Sequence, residues 1–193
     1  MPCVVTTQAI STMSEEARVA ESNPPAESPG RPVAALFFQR YGLLLLVTGI
    51  ALAADIITKR IVEAQIPLYT SIPVIGPYLS WTHTQNTGAA FSLFQNGGAF
   101  FIAVALIVSA VILYYAPRLP AGDWLSRVAL GLQLGGAVGN LLDRLRQGYV
   151  TDFIHFQIPE IGFDWPVFNI ADSAIVVGVI VLIAASFLRG NKA

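Results

Sequence analysis

Four apolar stretches, each close to a bilayer's thickness when coiled, limit what this chain can become. They cover residues 36–57, 98–116, 124–142 and 169–188, and roughly 20 residues of helix cross a hydrocarbon core. The second stretch holds no charged residue, and Pro117 ends it. Gln39 and Arg40 lie near the start of the first, where a long cationic side chain can snorkel to the interface. The expected fold class is an all-α membrane protein with four transmembrane helices. Composition agrees: 54% of residues are hydrophobic and 12% charged, where a soluble domain carries about 25% charged. A net charge of -1 leaves no electrostatic footprint for nucleic acid. The single cysteine, Cys3, excludes an intrachain disulfide and a cysteine-based metal cluster.

Two segments differ from these runs. Residues 1–32 mix Ser, Glu, Pro and Thr with little bulk, and no basic stretch leads into an apolar one, so they do not form a secretory signal peptide. They are expected to be a disordered tail, leaving residues 33–193 as one domain. Residues 60–97 contain Pro67, Pro73, Gly76 and Pro77, and 78–84 reads as a short strand rich in Tyr, Trp and Thr. The expectation is a small extramembrane platform with β structure between the first and second spans.

Four spans place both termini and the 117–124 connection on one side of the membrane. That side holds Arg18, Arg31, Arg40, Arg118, Arg127, Arg189 and Lys192; Lys59, Arg60, Arg144 and Arg146 fall on the other. The basic excess marks the first side as cytoplasmic. Asp55, Asn86, Asn140, Asp143, Arg144, Asp152, Asn169 and Asp172 then all lie at the outer face. Solvation of helix ends at random would not favour one face so strongly.

Each polar group has a structural reading beside a functional one. Gly131, Gly135 and Gly139 recur every four residues and make a flat ridge for close packing against the first or fourth span. Asn140, Asp143 and Arg144 share a helical face and either orient the helix end or support a reactive group. Asp55 and Lys59 are spaced as a helical ion pair. Asn86-Thr87-Gly88 suggests a tight turn with backbone open to a ligand. Asp152 and Asp172 sit among apolar neighbours without an adjacent base. Two carboxylates brought together in a low-dielectric site separate in pKa, one serving as general acid while the other activates water. Alternatively, Asn169 or Asp172 caps the fourth helix. His83 and His155 lack metal-ligand spacing, no HExxH run occurs, and no base is visibly placed to activate Ser92 or Ser173.

Taken together and in order, Asp55 with Thr58-Lys59, the 86–92 block, Gly139-Asn140-Leu141-Leu142-Asp143-Arg144, Val150-Thr151-Asp152-Phe153 and Phe168-Asn169-Ile170-Ala171-Asp172-Ser173 resemble the motif blocks of bacterial lipoprotein signal peptidase, or signal peptidase II. The resemblance covers residues 36–188 and leaves the tail outside. It implies an aspartic endopeptidase of the bacterial inner membrane, needing no cofactor. Its substrates would be prolipoproteins bearing a diacylglyceryl cysteine, cut just before that cysteine. The positions matching the catalytic dyad are Asp152 and Asp172. Those matching supporting and substrate-contacting residues are Asp55, Lys59, Asn86, Gly88, Asn140, Asp143, Arg144 and Asn169. The platform would be an outer cradle with a mobile flap, membrane lipid would surround the helices, and the cyclic peptide globomycin would occupy the dyad.

Two other classes compete. A small transporter would spread polar groups through the membrane depth, whereas these spans are apolar in their middle and inner parts. A non-catalytic assembly subunit would tolerate Asp→Asn at both carboxylates.

Overall fold

A computed structural model describes residues 33–88 and 97–190. The tail at 1–32 with Cys3, and 89–96 with Ser92 and the end of the 86–92 block, lie outside the described residues. The chain divides into two units, 1–35 and 36–193. Four long helices are described: α1 (Val33–Gln65), α2 (Gly98–Tyr115), α3 (Trp124–Gln147) and α4 (Ile170–Gly190).

Two helices run past the expected spans. α1 continues two turns beyond Ile57, because Thr58 to Gln65 contains no helix breaker and only Pro67 biases the preceding residue away from helix. α3 starts where the Asp123 carboxylate accepts the Ser126 N–H (3.2 Å) and stops at Gly148, whose φ of 82° suits glycine. By length and composition three segments suffice to cross a membrane: Ala34–Gln65, Gly98–Arg118 and Ile170–Leu188. α3 falls short because it is the most enclosed helix. Its glycines and polar residues face protein, so lipid does not demand an apolar surface there. Large apolar side chains such as Ile50, Ile107 and Ile180 point outward from the other three, as a hydrocarbon surround requires.

Close packing depends on the glycine ridge. A Cβ on Gly131 would come within 2.8 Å of the Leu44 carbonyl, and one on Gly135 within 2.9 Å of the Thr48 carbonyl, so both meet α1. A Cβ on Gly136 would collide with the Ala171 carbonyl of α4. Thr48 Oγ1 also donates to the Gly131 carbonyl (3.1 Å). Leu44, Ile112 and Leu134 join α1, α2 and α3 in one apolar cluster.

The antiparallel sheet has the order β1 (Ser71–Ile75), β2 (Leu79–Asn86), β3 (Val150–Ile158), β4 (Phe163–Asp164). The strand expected at 78–84 is β2. The platform expected between the first two spans is only half of the sheet; β3 and β4 come from the link between α3 and α4. β3 forms because Val150-Thr151-Asp152-Phe153-Ile154 is β-favouring and buries Phe153, which lies 5.5 Å from the Trp81 ring. Val62 and Ile66 at the end of α1 pack on Phe153 and lock the sheet to the bundle. Thr84 stands opposite Asp152, and Asn86 opposite Val150.

Candidate active site

The first turn of α4 begins the site. Asn169 precedes the helix, and its Oδ1 accepts the Asp172 N–H (2.9 Å), while Asp172 Oδ2 accepts the Asn169 N–H (3.3 Å). This reciprocal cap satisfies two orphan donors and fixes both side chains. The Asn169 Nδ2 group donates to Asp152 Oδ1 on β3 (2.6 Å) and to Asn140 Oδ1 on α3 (3.1 Å). Capping and site-building are therefore performed by the same pair.

Each carboxylate oxygen of the two aspartates accepts one neutral N–H. Asp152 Oδ2 accepts from Asn86 Nδ2 (2.8 Å), and Asp172 Oδ1 from Asn140 Nδ2 (2.7 Å). Asn86, at the end of β2, is held in turn by the Gly88 N–H donating to its Oδ1 (2.9 Å). Amide donors set orientation without adding a formal charge. Burial, followed by the charge of Asp172, pushes the Asp152 carboxyl up to about 7, against the opposing hydrogen bonds of Asn86 and Asn169 and the charge of Lys59. A carboxyl there exchanges its proton near neutral pH, as acid/base chemistry requires.

Beneath this layer sits an ion cluster. Lys59 Nζ lies 2.8 Å from Asp55 and 2.8 Å from Asp143, and donates to Asn140 Oδ1 (3.0 Å). Asp55 is fully buried and accepts the Ala171 N–H of α4 (2.9 Å), while Asp143 accepts the Thr151 N–H (3.3 Å). Gly139 makes room, since a Cβ there would stand 2.5 Å from Asp55 Oδ2. Arg144 donates to the carbonyls of Gly88 (3.1 Å) and Asn140 (3.4 Å) and lies over the Phe101 ring.

A cavity of about 770 Å³ brings Asp152, Asp172, Asn86, Gly88, Asn140 and Arg144 to one surface. The rest of its wall is mostly apolar, with Val104 and Val108 of α2 facing Val176 of α4. Of the ten residues expected at the site, Asn169 stands behind both aspartates, and Asp55, Lys59 and Asp143 support from below without lining the cavity.

Three supporting residues escaped sequence reasoning. Thr151 Oγ1 donates to Glu63 Oε1 (2.8 Å) and accepts from Gln147 Nε2 (3.1 Å), pinning β3 to α1 and α3 immediately before Asp152. Glu63 at i+4 from Lys59 was the available signal. The histidines have separate partners: His83 Nδ1 contacts the Ile66 carbonyl (2.7 Å), and His155 pairs with Asp164 (2.7 Å). No group among the described residues has the donors for a metal ion. Ser173 Oγ donates to the Asn169 carbonyl (3.0 Å).

Residues 47–188 of this chain match the signal peptidase (SPase) II family. A lipoprotein signal peptidase of Xanthomonas campestris pv. campestris (strain 8004) is 40% identical over 152 residues, covering 77% of this chain and 90% of the relative. One from Moorella thermoacetica is 44% identical over 138 residues, covering 72% and 88%. Among solved structures, a bacterial membrane enzyme determined by the in meso method at 2.3 Å superposes with a TM-score of 0.71 at 32% identity, over 78% of this chain and 91% of that one.

Proposed function

The chain belongs to the signal peptidase II family, and we propose that it removes signal peptides from diacylglyceryl-modified prolipoproteins by a two-aspartate mechanism. One observation carries the reading: Asp152 and Asp172 line a single cavity, with every carboxylate oxygen held by a neutral donor. The two carboxyls share one proton and hold a water between them. The ionised carboxylate takes a proton from that water as its oxygen attacks the carbonyl carbon before the modified cysteine. The protonated carboxyl hydrogen-bonds the developing oxyanion. Collapse of the tetrahedral intermediate breaks the C–N bond, and the proton passes to the cysteine nitrogen, with no acyl-enzyme.

The supporting residues divide the work. Asn86, Gly88 and Arg144 hold the peptide backbone, whereas Asn140, Asn169 and the Asp55–Lys59–Asp143 cluster keep the dyad in place. In this reading all four helices cross the inner membrane, both termini are cytoplasmic, and the sheet covers the site at the outer face. The apolar part of the cavity receives the substrate's acyl chains from surrounding lipid. Globomycin-type inhibitors occupy the same space, and no cofactor takes part.

The test is a gel-shift cleavage assay with purified wild type, Asp152→Asn and Asp172→Asn. Each meets a lipidated prolipoprotein and its unlipidated form. Cleavage of the lipidated form alone by wild type, lost in both variants, is the expected result. A folded variant with near-normal activity would remove that aspartate from the dyad. Activity retained in both variants would revive a docking role for the polar cluster.

A further inference from the structure

Gln133 of α3 stands apart from the polar layer. It precedes Asn140 by two turns, roughly 10 Å along the axis at 1.5 Å per residue, yet it lines the same cavity. Gln133, Ala137, Asn140 and Arg144 form one stripe of the helix on the cavity wall. The same cavity is lined by valines, including Val104, Val108 and Val177. The Gln133 Nε2 atom is sealed from solvent and meets no acceptor among the described residues. Leaving such a donor unpaired is unfavourable, because it has given up its bonds to water and gained none in return. Its place is prepared from the opposite side, because a Cβ on Gly178 of α4 would stand 2.7 Å from Gln133 Cγ.

We propose that Gln133 donates a hydrogen bond to an ester carbonyl of the substrate's diacylglyceryl group. The inference rests on the prolipoprotein reading above. In a hydrocarbon-level cavity few substrate groups offer a free acceptor. Carbonyls of a helical signal segment are already bonded within their helix, and acyl tails carry no polar atom. The ester carbonyls lack any donor of their own. Distance agrees: about eight bonds join the cysteine nitrogen at the scissile bond to the nearer ester oxygen, and at ~1.2 Å of reach per bond they span roughly 10 Å. A carboxamide also turns easily about its terminal torsion, so the NH2 group can meet an arriving carbonyl.

Two synthetic prolipoprotein peptides test this, identical except that one carries ester-linked chains and the other ether-linked chains without the carbonyl. Wild type, Gln133→Leu and Gln133→Met would cleave both. Wild type should favour the ester by about tenfold in kcat/KM, the worth of one net hydrogen bond, and both variants should bring the ratio close to one. The ratio is internal to each preparation, so partial misfolding cancels. An ester preference surviving in both variants, equal cleavage by wild type, or loss of all cleavage in both variants overturns the role of Gln133 and leaves the peptidase reading intact. Cleavage of neither peptide by wild type overturns both.

Discussion

Lys59 and Asn169 together fix which way Asn140 faces, both donating to its Oδ1. The Lys59 ammonium donates to Asn140 Oδ1 at 3.0 Å, so the NH2 end of that amide is turned to Asp172, 2.7 Å away. Through this amide the ion cluster is hydrogen-bonded to Asp172. Replacing Lys59 by Met leaves Asp55 and Asp143 without their counter-charge, which costs about 3–5 kcal/mol for a buried pair. Thermal unfolding in detergent should show that loss, and cleavage should fail even where folded protein remains.

Asn169 separates capping from orientation. Asn169→Ala removes both and should lower stability by about 1–2 kcal/mol. Asn169→Ser restores the cap, but a hydroxyl does not reach Asp152 as the amide does. Stability should recover while activity stays roughly 100-fold down, the scale of an ångström-sized misplacement. Equal recovery of both would make Asn169 only a cap.

Two helix glycines should differ sharply in their tolerance of a methyl group. Gly136→Ala drives a methyl into the Ala171 carbonyl, next to Asp172, and should cost about 1–3 kcal/mol with a matching loss of activity. A Cβ on Gly49 of α1 meets nothing, so Gly49→Ala should be neutral or stabilising by up to ~1 kcal/mol. Parallel melting curves and cleavage rates check the contrast.

Asp152 links stability to pH. Its folded carboxyl is raised to about 7 from 3.8, so between those values the native state binds a proton that the unfolded state has released. Stability attributable to this group is present below the unfolded value and declines as pH rises through about 7. The full difference is on the order of 4 kcal/mol at 1.36 kcal/mol per unit. Asp152→Asn removes this slope, so melting temperatures at pH 5 and pH 8 should shift in the variant's favour at the higher pH. A pH-independent difference would contradict the raised carboxyl.

Glu63 acts through Thr151. Glu63→Ala should reduce kcat by roughly 10-fold or more through misplacement of Asp152, with KM nearly unchanged. Glu63→Gln, which keeps an acceptor for Thr151 Oγ1, should restore most of the rate. Steady-state kinetics on both variants decide it.

Four helices were legible because an apolar run of bilayer length declares itself without knowledge of its neighbours. α1 outran its expected span because Arg60 and Glu63 end the apolar run without breaking the helix. β3 went unseen because its pairing with β2 joins residues far apart in the chain, and its apolar residues drew notice only as surroundings for Asp152. Spacing suggested Asp55 with Lys59, yet Asp143 as their third member depends on α1 meeting α3 across the glycines. Capping and catalysis looked like rival readings of Asn169 and Asp172. Side chains have two oxygens or an oxygen and a nitrogen, and here each end serves a different purpose.

The sheet's divided origin governs how the molecule comes into being. Asn86 and Asp152 are 66 positions apart, so β2 leaves the ribosome well before β3 exists. During that interval one edge of β2 is bare and Asn86 lacks its acceptor. Successive insertion of helices into the bilayer cannot complete the centre piece by piece. It is complete only once β3 lies beside β2 and the start of α4 has brought Asn169 to Asp152. A half-made chain is therefore inert, and cutting power arrives only with the finished molecule.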